Sequence, residues 1–264
     1  MTARLTWIGQ SGFLLRTPAT RLAIDPFLSD HPGRRFPSPV AAGDLAGTEL
    51  VLTTHQHLDH LDAPGLLALL ELDDRVQVVV PAPVVPDAAA AGLPGGRLVA
   101  ARPGEPIAAG DVTVHPVPAL HGVHVADAYT HGLPGDGDQV RYLGYVVETP
   151  DGRLYHAGDT LRWDGQAELL RGHRVDLALL PINGRDSQRE AQDVVGNLDA
   201  GGRDGRADAL RPDGGQPGRR GRVRPPGPGA APGRAGGRPR PHGRDTAGLA
   251  GRRVSRAGSV APSA

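Results

Sequence analysis

The chain has 264 residues, enough for one α/β domain with a substantial core or for two small ones, and length alone does not choose. It contains no cysteine, which excludes disulfides and thiolate ligands and leaves imidazole and carboxylate to hold any metal. The formal charge of zero is an average over unlike parts: residues 1–200 carry 15 arginines against 25 acids, a net −10, and residues 201–264 carry 14 against 4, a net +10.

Residues 3–25 read as a β-meander, with strands over Leu5–Ile8, Gly12–Arg16 and Arg21–Asp25 separated by Gly9 and Pro18. Glu49–Thr54 is an apolar strand that leads into His55-Gln56-His57, and Pro64–Leu70 reads as a helix. Further strands are predicted over Val76–Val80, Val112–Val117, Tyr142–Glu148, Arg153–His156 and Val175–Ile182, with helices over Trp163–Arg171 and Ser187–Val195. Strand groups alternating with helices predict two sheets flanked by helices. No run of about 18 apolar residues is present and the N-terminus lacks the pattern of a secretory signal, so the expectation is a cytoplasmic protein with no membrane partner.

From Gly201 the pattern collapses into 16 Gly, 9 Pro and 14 Arg among 64 residues, with no Phe, Tyr or Trp. Such a segment buries too little apolar surface to offset chain entropy and is predicted to be disordered. The expected organisation is therefore a folded α/β domain over 1–200 and a low-complexity tail over 201–264.

The strongest chemical signal is His55-Gln56-His57-Leu58-Asp59-His60. In a tight turn after a strand, His55 and His57 project toward one cation while Asp59 and His60 reach a second, a nitrogen and oxygen set that suits Zn, Mn or Fe. A solvated polar loop seldom concentrates three histidines and an acid in six residues. For a further histidine the residues alone leave His115, His121, His124 and His131 open, and Gly158-Asp159-Thr160 reads equally as an ordinary turn.

This cluster resembles the HxHxDH signature of the metallo-β-lactamase superfamily. Ile24-Asp25-Pro26, Pro118–His121, Tyr155–Thr160, Pro181–Asp186 and Gly196–Asp199 together resemble the branch that contains L-ascorbate-6-phosphate lactonase. The resemblance implies an αβ/βα sandwich with two divalent ions, Zn or Mn before others, and a metal-activated water as nucleophile. It makes His121 the third histidine of the first ion and Asp159 the bridge between the two. Asp59 orients the water or passes its proton to the leaving group, Asp25 supports a ligand from behind, and His156 bonds a ligand or lines the pocket. Asn183 and Arg185 would bind an anionic substrate, although a capped turn explains them nearly as well.

The resemblance stops at Gly201. Relatives of that branch supply a last metal histidine from a Pro-Met-His-Tyr-Asp segment, which this chain lacks, so the C-terminal part of the sandwich is read as incomplete. Codons permitted for Ala207–Pro212, read one base later, give Pro-Met-His-Tyr-Asp, and the tail resembles GC-rich coding DNA translated out of frame. His242 is a weak substitute, because a flexible tail must lose entropy to hold one ligand.

The expected function is hydrolysis of a small anionic ester or lactone, a sugar lactone phosphate first, with the loss of the last histidine impairing it. A phosphodiesterase of the same fold is the enzymatic alternative. A non-catalytic protein that binds RNA or another polyanion through the basic tail, or a defective product, is the alternative from another class. The relatives also imply that homo-oligomers are an option.

Overall fold

A computed structural model of the chain describes residues 2–34, 36–122 and 140–181. Three antiparallel strands open the chain, β1 (Arg4–Trp7), β2 (Phe13–Arg16) and β3 (Arg21–Ile24), and they pair in sequence order. Three parallel strands extend this sheet from β3: β4 (Leu50–Leu52), β5 (Gln77–Pro81) and β6 (Leu98–Ala101). The helices α1 (Ala63–Leu72) and α2 (Val85–Ala90) form the connections between β4, β5 and β6. A second sheet has the order β11-β10-β9-β8-β7, built from β7 (Ile107–Ala109), β8 (Val112–Pro118), β9 (Leu143–Thr149), β10 (Gly152–His156) and β11 (Leu177–Leu179), with α3 (Gln166–His173) before β11. Its pairs are antiparallel apart from the parallel β10–β11 pair.

Alternation along the strands sorts the side chains into three apolar layers. Phe13 and Leu15 of β2, Leu22 and Ile24 of β3 and Leu52 of β4 pack with Val114, Tyr145, Val147 and Leu154 between the sheets. Their alternates Leu14, Ala23, Val51 and Val78 face outward and are covered by Leu66, Leu69 and Leu70 of α1. On the far side, Val117, Val146, Tyr155 and Ala178 are covered by Leu170 of α3. This is the predicted αβ/βα sandwich of helix, sheet, sheet, helix.

Several boundaries differ from expectation. β4 ends at Leu52 rather than Thr54, because Thr53 and Thr54 turn their backbone groups to Val79 and Asp25. Of the strand expected over Val175–Ile182, Ile182 lies outside the described residues, and among the rest Leu177–Leu179 forms the strand. The helix α2 and the strands β6 and β7 were not predicted: β6 and β7 are short and half-exposed, so they carry little alternation to read. Among the described residues no helix is long and apolar enough to cross a membrane. The helix predicted over Ser187–Val195, the Gly196–Asp199 motif and the tail lie outside the described residues.

Candidate metal centre

The histidine turn stands at the C-terminal end of β4, where the chain leaves the sheet with both flanks fixed. On one flank Tyr145 crosses from the second sheet and donates its hydroxyl to the Thr53 carbonyl (2.8 Å). Burial raises the phenol's proton affinity well above its ordinary range, so it stays a donor. On the other flank α1 begins at once. Its N-cap Asp62 accepts from Gly65 N–H (3.3 Å) and also from Leu28 N–H and Ser29 N–H (2.7 Å each), which ties the loop after β3 to the helix start.

Between these anchors, the Nε2 of His55, the Nδ1 of His57 and the Nε2 of His121 converge. The first pair is 2.9 Å apart and the second 3.2 Å. A tetrahedral ion with metal–nitrogen bonds of about 2.0–2.1 Å spaces its ligands by about 3.3 Å, so these two separations are close to those between ligands of one ion. Asp159 closes it: ligand atoms of His55, His57, His121 and Asp159 all lie within 4.8 Å of one another. His121 is delivered by the loop after β8, where Leu120 bridges Leu161 and its N–H donates to Thr160 Oγ1 (3.0 Å). The loops that carry His121 and Asp159 are therefore sewn together.

His60 sits beside this group and is fully buried. Its Nε2 has no hydrogen-bond partner, with Asp159 Oδ2 at 3.4 Å and Asp59 Oδ2 at 3.7 Å. A buried nitrogen without a partner is costly unless something occupies the space it faces, and a cation held by His60, Asp59 and Asp159 would answer that cost. The donors are imidazole and carboxylate throughout, so the residues fit one or two divalent ions of the Zn, Mn or Fe type.

Electrostatics point the same way. Burial disfavours charge on both His55 and His60, but the two diverge. His55 stays well below the ordinary imidazole range under burial and the neighbouring His60, whereas Asp159 and Asp25 outweigh burial at His60 and raise it well above. Burial would push the Asp159 carboxyl up, yet His60, His55 and His121 together hold it well below the carboxylate range. The cluster thus keeps Asp159 anionic, as a carboxylate ligand to a cation must be.

Asp25 lies behind the ligands, fully buried and with a positive φ of 44°. Its carboxylate accepts from Thr54 N–H (2.8 Å), Thr54 Oγ–H (2.8 Å) and His60 Nδ1–H (2.8 Å). Thr54 Oγ in turn lies 3.0 Å from His55 Nδ1. One carboxylate thereby orients His60 directly and His55 through a hydroxyl, leaving both Nε2 atoms for the centre. Thr54 was not singled out from sequence; its place between a buried strand and the first histidine was the available signal.

His156 bonds none of the converging atoms. Its Nε2–H donates to Ser11 O (2.9 Å), its Nδ1 accepts from Gly158 N–H (3.2 Å), and Phe13 packs edge-on against the ring. It braces the turn that presents Asp159. Of the rivals to His121, His115 points away from the centre and pairs with Glu148 (3.3 Å). His124, His131, Asn183 and Arg185 lie outside the described residues.

Residues 20–210 match the family described as "Beta-lactamase superfamily domain". A UPF0173 metal-dependent hydrolase of Caldivirga maquilingensis is 30% identical over 194 residues, covering 72% of this chain and 75% of that protein. One from Opitutus terrae is 34% identical over 188 residues, covering 68% and 72%. Among solved structures, Igni18, a metallo hydrolase from Ignicoccus hospitalis, superposes with a TM-score of 0.55 over 76% of this chain and 77% of that one at 24% identity, a likeness of fold. Fold, converging ligands and relatives agree that the chain belongs to the beta-lactamase superfamily domain family, among the UPF0173 metal-dependent hydrolases.

Proposed function

We propose that this hydrolase acts on a small anionic ester or lactone, a sugar lactone phosphate being the first substrate to try, and that it binds two divalent ions. The observation that carries the reading is the shared position of Asp159 Oδ2, within 4.0 Å of His55 Nε2, 3.8 Å of His121 Nε2 and 3.4 Å of His60 Nε2. One carboxylate oxygen placed against both histidine groups could serve two ions at once, were both bound. Divalent ions bound there would make a water nucleophilic near neutral pH and polarise the attacked oxygen.

The chain's own residues supply the rest. His55, His57 and His121 would hold one ion; His60 and Asp59 would hold the other. Asp59, whose side chain is 36% exposed, has the access to move a proton between water and leaving group. Asp25 and Thr54 fix the imidazole tautomers, and His156 braces the Asp159 turn. Asn183 and Arg185 are assigned to the substrate's anionic group because a guanidinium and an amide after an apolar strand suit a carboxylate or phosphate.

The test is a panel of lactones, simple esters and bis-p-nitrophenyl phosphate offered to Zn- and Mn-loaded protein. Lactone turnover that vanishes in Asp159→Asn supports the reading. Phosphodiester turnover with no lactone turnover rejects it.

We further infer that residues 201–264 are a tail outside the hydrolase domain, translated out of frame, so that the last histidine of the second ion is missing and activity is impaired. The support is the change from net −10 to net +10 near Ala200 and the permitted Pro-Met-His-Tyr-Asp reading over Ala207–Pro212. Resequencing the coding DNA from the Ser187 codon onward decides it. A frame that continues with Pro-Met-His-Tyr-Asp supports the inference, and its absence from every frame overturns it.

A further inference from the structure

The turn between β1 and β2 approaches the centre in an unusual conformation. Gly9 has φ 95° and Gln10 has φ 51°, two left-handed residues in succession. The turn is closed by Ile8 N–H to Gly12 O (2.9 Å) and Gly12 N–H to Gly9 O (2.8 Å). A left-handed φ is natural for glycine and costs on the order of 1 kcal/mol for a residue such as Gln. Asparagine or glycine would fill the position with less strain, but neither reaches as far. The Gln10 side chain extends to the centre, its Nε2 lying 3.5 Å from Asp59 Oδ2. Backbone strain retained next to a reactive carboxylate points to a role for the side chain it presents.

Two exposed apolar residues are linked to that contact, one by a hydrogen bond and one along the chain. Trp7 donates its indole N–H to Gln10 O (2.9 Å), and Leu58 immediately precedes Asp59. Among the described residues four large apolar side chains are exposed, and Trp7 and Leu58, each 44% exposed, are the two joined to the centre in this way. Trp7 shares its strand face with Leu5, which packs against the inter-sheet core, and it pairs in register with Phe13 of that core. Single exposed apolar residues need no explanation. Here the tryptophan is held by its own N–H to the turn that presents Gln10, and the leucine is one residue from the carboxylate that Gln10 reaches.

We propose that Trp7 and Leu58 form the subsite for the group flanking the scissile bond and that this group is a ring with an apolar face, which stacks on the indole while the Gln10 amide donates to a substrate oxygen. This rests on the hydrolase reading above and narrows its substrate class to ring-bearing esters and lactones.

The experiment uses binding, so that it does not depend on turnover. Methylphosphonate and phenylphosphonate are titrated calorimetrically into the full-length, Zn-loaded protein and into Trp7→Ala, Trp7→Phe and Leu58→Ala. Burying a ring against the indole is worth on the order of 10-fold, so phenylphosphonate binds the original protein about 10-fold tighter than methylphosphonate. In Trp7→Ala that gap falls to within about 2-fold while methylphosphonate affinity stays unchanged, which also reports an intact metal centre; Trp7→Phe restores most of the gap. Leu58→Ala narrows it in part. An equal gap in Trp7→Ala, no gap in the original protein, or no binding of either phosphonate overturns the proposal. Failure of the lactone panel with the phosphonate gap present would reject the substrate reading and leave the subsite standing.

Discussion

His60 and Asp25 form a buried pair in which the imidazole Nδ1–H donates to the carboxylate at 2.8 Å, both side chains being fully shielded from solvent. The bond decides which ring nitrogen is free, and the free one faces the cluster. Replacing Asp25 by Asn keeps an acceptor for Thr54 N–H and tolerates the left-handed φ, but it removes the charge that fixes the His60 tautomer. Loss of such outer partners typically weakens metal binding by about 10–100-fold. We expect Asp25→Asn to lose Zn to a competing chelator in that range, with its circular dichroism spectrum unchanged; equal retention would sink the assigned role.

Thr54 carries the same influence to His55, and its removal separates the two histidines. Valine matches threonine in shape but has no hydroxyl, leaving His55 Nδ1–H without its acceptor and Asp25 Oδ2 with one donor fewer. A buried polar group left unpaired costs about 1–3 kcal/mol. Thr54→Val should therefore lower the thermal midpoint and weaken metal binding, and Thr54→Ser should recover the metal binding. Because both residues act through one network, the effects of Asp25→Asn and Thr54→Val on metal affinity should combine less than additively. Full additivity would show that the hydroxyl is not part of the relay.

How much of this was legible follows from what each feature needs. The convergence of His55, His57 and His60 was readable because a metal site would impose residue type and spacing together. The inter-sheet strands were readable because burial on both faces leaves long apolar runs, as in Leu143–Val147. The choice of His121 over His115 was partly present in the alternation of β8: Val112 and Val114 face the inter-sheet core, which turns His115 outward. Thr54 and Gln10 were not legible, since a hydroxyl's or an amide's role depends on distances across the fold rather than on neighbours in sequence. Helix α2 was hidden by its length of 6 residues and by a Pro-rich approach that reads as loop.

Gly158 adjoins Asp159 in a left-handed conformation, φ 58°, and a Cβ there would stand 3.0 Å from both Thr54 Cβ and Leu143 O. The backbone cost of alanine at such a φ is about 1 kcal/mol, and crowding against the backbone oxygen adds to it. The displaced atoms are those that set Thr54 and Asp159. Gly158→Ala is expected to lower stability by at least about 1 kcal/mol in urea unfolding and to reduce bound metal in the same preparation. A stable variant with full metal content would show that the close packing of this turn is not needed for the centre.

Asp73, at the end of α1, provides a pH signature remote from the metal centre. Its carboxylate accepts from the Arg75 guanidinium (2.9 and 3.0 Å), Arg75 N–H (3.1 Å) and Gly47 N–H (2.8 Å), joining the helix end to the turn before β4. The Arg75 side chain first, then these backbone donors, hold the Asp73 carboxyl well below the ordinary carboxylate range. A group depressed in the folded state contributes stability that is complete above its unfolded pKa, about 3.9, and is lost as the pH falls toward the folded value. Thermal unfolding of the metal-free protein should therefore show a midpoint that declines below about pH 4. Asp73→Asn should have a lower midpoint at pH 7 and a shallower decline on acidification, because the charge that titrates has been removed. Parallel acid declines in the two proteins would mean that the Asp73 network adds nothing to stability, and that other carboxylates, such as Glu148 beside Arg153 (3.0 Å), carry the acid sensitivity.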